Sequence, residues 1–248
     1  MAVRSILRKI GWALIWGALL IFAFLGYQLF VTDLLNERVQ NQAMSELDDE
    51  LDARRASLPE PEEVTITVPP EDEPPTTVTA PSTTLPAVEY LPEEAGEIGS
   101  ALGRITIPAI EIDEVMFEGW DRETLKKGPG HMPGSPVPGQ PGNAVVSGHR
   151  TTYGRPFYDL DLLEEGDVIE VETAIGTHVF EVRRSLVVEP TDVWVTEHIP
   201  GSWLTFTTCH PHFSAAERLI IQAELVEGPN LDYATVLVQQ SETDQERS

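Results

Sequence analysis

Residues Ile10 to Val31 form a run of 22 without one charged side chain, and this run governs how the rest of the chain must be organised. A helix rising 1.5 Å per residue over that length reaches about 30 Å, the thickness of a bilayer's hydrocarbon. Trp12, Trp16 and Tyr27 supply aromatic rings of the kind found near membrane interfaces. Arg4, Arg8 and Lys9 precede the run, while Asp33, Glu37 and Arg38 follow it. The cationic flank favours the cytoplasm, which places residues 1–9 inside and the C-terminal bulk outside. A cleaved signal peptide has a shorter apolar region and a small-x-small cleavage site, and no convincing site precedes Asp33. Residues 10–31 therefore read as a transmembrane signal anchor.

After the anchor, Leu35, Val39, Ala43, Leu47 and Leu51 recur every four residues. That spacing predicts an amphipathic helix over residues 33–56, within a solvated stalk spanning 32–57. Leu58 to Glu97 then holds nine prolines and ten acidic residues with no Lys or Arg. Such a chain repels itself and has too little apolar surface to fold, so 58–98 reads as an extended linker holding the next domain off the membrane. About 130 residues remain in 99–228, the size of one compact domain. The segment 229–248 reads as a tail, disordered beyond Gln239.

Charge excludes one class of partner. The chain carries a formal net charge of -25, and residues 99–228 alone hold 9 Lys and Arg against 20 Asp and Glu. No basic footprint exists to neutralise phosphates, so nucleic acid is not a partner. The one cysteine, Cys209, rules out an intramolecular disulfide. From Arg104 onward, short runs rich in Val, Ile, Thr and Phe are punctuated by Gly and Pro. Strands are expected at Arg104–Ile107, Asn143–Ser147, Asp167–Glu172, His178–Val188, Ser202–Cys209 and Arg218–Leu225. Arg122–Lys127 suits a short helix, Tyr158–Leu163 a turn, and Gly128–Gly142 a loop. The pattern is mainly all-β, closed or sandwiched.

Two segments carry residue types suited to chemistry. Ser147-Gly148-His149-Arg150-Thr151-Thr152-Tyr153-Gly154 follows an apolar strand, and Thr205-Phe206-Thr207-Thr208-Cys209-His210-Pro211 ends another. A thiol with an ordinary pKa near 8.5 is only a few per cent thiolate at neutral pH, so a cysteine nucleophile needs a nearby base or cation. Histidine meets that need. Arg218 stands nine residues beyond Cys209; if the two occupy adjoining antiparallel strands, its guanidinium can stabilise an acyl-transfer oxyanion. Thr208 is either a pocket residue or an ordinary β-branched strand residue. Tyr153 either contacts substrate or closes its loop. His131, His178 and His198 read as surface or packing residues. Cys209, His210 and His212 are ligand types that zinc accepts, but alternating strand directions, Pro211 and the lack of a second cysteine argue against a metal site.

The Thr-Phe-Thr-Thr-Cys string resembles the Thr-Leu-x-Thr-Cys signature of sortases, with Phe206 where Leu is usual. Gly148-His149-Arg150, Arg218 and the opening Gly103-Arg104-Ile105-Thr106-Ile107-Pro108 fall in the same family's order. Cys209 followed by His210-Pro211, with the Gly148–Gly154 string, is most similar to the class E sortases of actinobacteria. The resemblance implies an eight-stranded closed β-barrel with one or two short helices, as a catalytic domain over 99–228. It implies a cysteine transpeptidase that cleaves between Thr and Gly of a C-terminal Leu-Ala-x-Thr-Gly or Leu-Pro-x-Thr-Gly motif. Cys209 would be nucleophile, His149 general acid and base, and Arg218 the oxyanion and substrate holder. Thr208, with Tyr153 nearby, would shape the same pocket. No cofactor is implied. The partners implied are surface-protein precursors with that motif and an amine on a peptidoglycan precursor or pilin, met on the extracellular, cell-wall face of the membrane. A silent peptide-binding barrel and a thiol hydrolase are the competing readings.

Overall fold

The structure, a computed structural model, describes residues 2–27, 32–64, 67–68, 83–84 and 88–246. Two long helices come first, α1 (Ala2–Gly26) and α2 (Thr32–Arg55). Helix α1 contains Arg4–Phe24, a stretch long and apolar enough to cross a membrane. Residues 28–31 of the expected anchor, and 65–66, 69–82 and 85–87 of the expected linker, lie outside the described residues. Short strand pieces follow: β1 (Glu62–Val64), β2 (Thr67–Val68), β3 (Thr83–Thr84) and β4 (Val88–Tyr90). Strand β1 pairs with β4, and β2 with β3, all antiparallel.

Eight further strands close into a barrel: β5 (Ala101–Ile107), β6 (Ile112–Glu118), β7 (Gly130–His131), β8 (Gly142–Ser147), β9 (Val168–Thr173), β10 (Gly176–Val188), β11 (Ser202–His210) and β12 (Glu217–Glu227). A short helix, α3 (Arg122–Leu125), sits between β6 and β7, and α4 (Leu231–Glu246) ends the described chain. Around the barrel the order is β10-β12-β11-β8-β7-β6-β5-β9. Neighbours are antiparallel except β8 with β11 and β6 with β7. Strand β7 pairs only with Phe117 and Glu118 of β6, so the Val115 N–H and C=O on that edge are left to Gln40 of α2.

Alternation along the strands builds the interior. On β12, Leu219, Ile221, Ala223 and Leu225 enter the barrel core, and on β11 Leu204 and Phe206 meet them. The intervening residues face outward. On that outer side Thr205 donates to Asn143 Oδ1 at 2.6 Å, and Gln222 Nε2 donates to Thr205 Oγ1 at 3.0 Å. A 3₁₀ turn at Val193–Thr196 covers this network, its Val195 carbonyl accepting from Asn143 and Gln222.

Four expectations need correction. The helix after the anchor is not a solvated stalk: Leu47 and Leu51 are buried against Val115 and Phe117 on the outside of the barrel. Its N-terminal half docks through amides, so Asn36 and Gln40 are buried while Leu35 and Val39 stay 49% and 39% exposed. The surface they meet offers backbone carbonyls, which amides satisfy and leucine cannot. The end of the linker is likewise docked, for Glu93 is buried, accepting from Thr173 Oγ1 at 2.6 Å and pairing with Arg54 at 3.0 Å. The segment 128–142 contains a strand, β7, as well as loop. The tail beyond Gln239 is helical to Glu246, as the second half of α4.

Candidate active site

Strands β8 and β11 run side by side from Gly142↔Ser202 to Ser147↔Thr207. The ladder goes one bond further, Gly148 N–H donating to the Thr207 carbonyl at 3.1 Å. His149 and Cys209 each stand two residues past the last pair. On the other edge of β11, Cys209 and Arg218 are direct antiparallel partners. Thr208 and Leu219 beside them turn towards the interior, so Cys209 and Arg218 share the outer face. Cys209 and Arg218, nine residues apart in sequence, are thus set side by side by register alone.

Thr208 ties the two candidate segments together. Its Oγ1 donates to the Gly148 carbonyl at 2.8 Å, holding the start of the His149 segment against the end of β11. Glycine is needed at 148 because a Cβ there would sit 2.5 Å from the Phe157 ring. His149 is half-buried and packs against Tyr153, ring centroids 5.0 Å apart. Its Nε2 is buried and makes no hydrogen bond among the described residues. Burial, and secondly the positive charge of Arg122, hold the imidazole below its ordinary pKa. Tyr153 adopts the left-handed conformation, φ 52°, which turns the loop back so that its ring reaches His149. Arg218 Nη1 donates to the Ala215 and Glu217 carbonyls at 3.0 and 2.9 Å, which fixes the guanidinium against the β11–β12 loop.

One residue at this site escaped the sequence reading. Arg150 is 2% exposed, and its guanidinium reaches under the end of β11. Its Nη1 donates to His210 Nδ1 at 2.8 Å and approaches the Cys209 carbonyl at 3.4 Å. Nη2 pairs with Asp161 at 2.7 Å, and Nε donates to the Tyr158 carbonyl at 3.3 Å. The side chain next to His149 therefore holds the backbone that carries Cys209. Only the Gly-His-Arg string hinted at it; its partners are 8 to 60 residues away. The same contacts occupy the apparent metal cluster, since His210 Nδ1 takes the Arg150 bond and His212 Nε2 bonds the Tyr158 carbonyl at 2.9 Å. His131 and His178 are both fully buried, His131 bonded to Glu118 at 2.6 Å and His178 to Thr173 at 3.1 Å.

Residues 105–226 match the family model described as Sortase domain. The chain is 31% identical to a solved sortase E point variant from Streptomyces avermitilis, covering 53% of this chain and 91% of that one at a TM-score of 0.50. The chain belongs to the sortase family. Sortase D of Bacillus subtilis is 33% identical over 134 residues, which is 52% of this chain and 66% of that protein. Sortase SrtE1 of Streptomyces coelicolor is 37% identical over 95 residues, 35% of this chain and 27% of that protein. The matches thus span about a quarter to two thirds of these curated sortases. In this sortase the matched domain starts within β5 and ends within β12, leaving α1, α2, the linker and α4 outside it.

Proposed function

We propose that this sortase is a membrane-anchored cysteine transpeptidase whose nucleophile is Cys209. The single observation that carries the reading is the strand register, which makes Arg218 the partner of Cys209 and ends β8, just before His149, beside Thr207. In the first half-reaction the Cys209 thiolate attacks the Thr carbonyl carbon of a Leu-Ala-x-Thr-Gly or Leu-Pro-x-Thr-Gly motif. The C=O pair moves onto oxygen, and the Arg218 N–H groups not spent on loop carbonyls stabilise that charge. As the intermediate collapses, the Thr–Gly C–N bond breaks and the His149 imidazolium gives its proton to the departing Gly amine. In the second half an acceptor amine gives a proton to His149 and attacks the thioester, and sulfur leaves. The product is a new amide, and the enzyme returns unchanged.

Thr208 and Tyr153 act on the same pocket, the first by fixing the Gly148 carbonyl and the second by backing the imidazole. Residues 10–31 hold the protein in a membrane with 1–9 cytoplasmic and the 99–228 domain outside. The natural partners are surface-protein precursors bearing the motif and an amine on a wall precursor or pilin. Mass spectrometry of the full chain, mixed with a panel of motif peptides and amines, tests this directly. A thioester should appear on Cys209, an added short Gly peptide should divert product from hydrolysis, and Cys209→Ala should abolish both cleavage and transfer. Turnover by the Cys209→Ala protein would refute the mechanism. A hydrolase would ignore the amine, and a silent binder would take up the peptide without a thioester.

A further inference from the structure

Helix α2 lies outside the matched domain, yet it reaches the loop that carries His149. Asp33 Oδ1 accepts the Gly154 N–H at 3.1 Å, and its Oδ2 pairs with Arg155 Nε at 3.2 Å. Asn36 Nδ2 donates to the Lys126 and Lys127 carbonyls, each at 2.9 Å. Gln40 closes a reciprocal pair with Val115, Oε1 accepting its N–H at 2.8 Å and Nε2 donating to its carbonyl at 3.1 Å. These three residues are spaced i, i+3 and i+7, so one helix face presents them all. Gly154 marks the fit: its φ is +77°, and a Cβ there would lie 1.9 Å from Asn36 Oδ1.

The segments held this way both bear on His149, one by ring contact and the other through the charge of Arg122. One is the loop to Arg155, whose Tyr153 ring backs the imidazole. The other follows α3, the helix that begins with Arg122. The far end of α2 is pinned separately, by Leu47 and Leu51 in their apolar cluster, by Arg54 on Glu93, and by Arg55 Nε donating to the Ala174 carbonyl at 2.9 Å. A helix fixed at one end by packing and at the other by polar contacts to a loop transmits rigidity to that loop.

We infer that α2 is a clamp on the acyl-transfer site, with Asp33 and Asn36 as positioning residues that hold the His149–Arg155 loop in its working shape. This rests on the proposed sortase chemistry of that loop. The clamp has a geometric corollary. Only six residue steps separate Tyr27 from Asp33, which span about 20 Å at full extension. A docked α2 therefore keeps the catalytic loop close to the end of the apolar helix, in reach of substrates tethered to the same membrane.

The test uses the full chain in detergent, with Asp33→Ala, Asp33→Asn and, as a control on the exposed face of α2, Glu46→Gln. Asparagine keeps an oxygen acceptor for the Gly154 N–H; alanine keeps none. In Asp33→Ala, kcat on a motif peptide should fall about tenfold with KM within about twofold, as expected when a hydrogen bond to a charged group is lost. Asp33→Asn should recover most of the loss, and Glu46→Gln should match the parent. Hydrogen exchange at the Gly154 amide should quicken by about tenfold in Asp33→Ala while β11 and β12 keep their protection. Parental exchange at Gly154, or faster exchange there with an unchanged kcat, overturns the clamp. So does protection lost throughout the barrel, which would reduce Asp33 to a general stabiliser. If the parent chain turns over no peptide, the proposed function fails, and exchange at Gly154 still decides whether α2 holds the loop.

Discussion

Replacing Glu114 with glutamine should change how stability depends on pH, in a direction fixed by two buried groups. Glu114 Oε2 is buried without a hydrogen-bond partner, and burial, then the charge of Asp113, pushes its carboxyl up to about 7. The folded protein holds this proton more tightly than the unfolded chain. Its contribution is therefore fully present below pH about 4.5 and is lost as pH rises through about 7. At about 1.4 kcal/mol per pKa unit that loss is about 3 kcal/mol. His178 works the other way. It is fully buried, and burial pushes its imidazole down to about 4. Here the unfolded chain binds the proton more tightly, so stability is present above pH about 6.5 and is lost as pH falls towards 4. Between pH about 4.5 and 6.5 the two slopes oppose each other and nearly cancel. Glu114→Gln removes one of them. Relative to the parent, the variant should gain about 1.4 kcal/mol per pH unit across that window, and the difference at pH 8 should exceed that at pH 4.5 by about 3 kcal/mol. Denaturant midpoints of both proteins, followed by tryptophan fluorescence from pH 4.5 to 8, measure the difference. A difference that does not vary with pH refutes the assignment of an uncompensated carboxylate at 114.

Two further outcomes bear on the site. Arg122→Gln removes the second of the two influences that depress the His149 pKa, so the limb of the pH–rate profile where imidazolium is lost should move to higher pH; an unmoved limb refutes the electrostatic link. Thr208→Val keeps the shape but loses the bond to the Gly148 carbonyl, and should cost about 1–2 kcal/mol in a denaturant titration together with a fall in kcat. A stability cost without the fall in kcat would make Thr208 a strand residue only.

What could be read in the sequence follows from which forces leave a periodic trace. The strands bearing Cys209 and Arg218 are legible because they are rich in Val, Ile, Thr, Leu and Phe and end in turn residues, although β12, like β6, has consecutive buried positions. The segments around His149 and Cys209 stand out in the sequence because they are short, dense strings of reactive and turn residues. Strand β6 does not. Its Val115, Met116 and Phe117 are consecutive and all buried, Met116 in the barrel and the other two beneath α2. A strand covered on both faces loses its alternation, and nothing in Ile-Asp-Glu-Val-Met-Phe-Glu announces the helix that covers it.

The same cause explains why α2 looks like a solvated stalk in the sequence. Hydrophobic periodicity detects only surfaces that exclude water, and along α2 that test succeeds at Leu47 and Leu51 but fails at the end that matters for the site. There the apolar positions Leu35 and Val39 are left towards solvent, while Asn36 and Gln40 go inward to meet carbonyls of residues 115, 126 and 127. Those carbonyls belong to a barrel strand and to the turn after α3, groups that a helix must satisfy if it is to bury them. An amide makes that contact only where the two backbones meet in one orientation, so the polar half of α2 fixes its position more narrowly than leucines would. The docking that hydropathy cannot see is for that reason the part suited to set the geometry of a neighbouring loop.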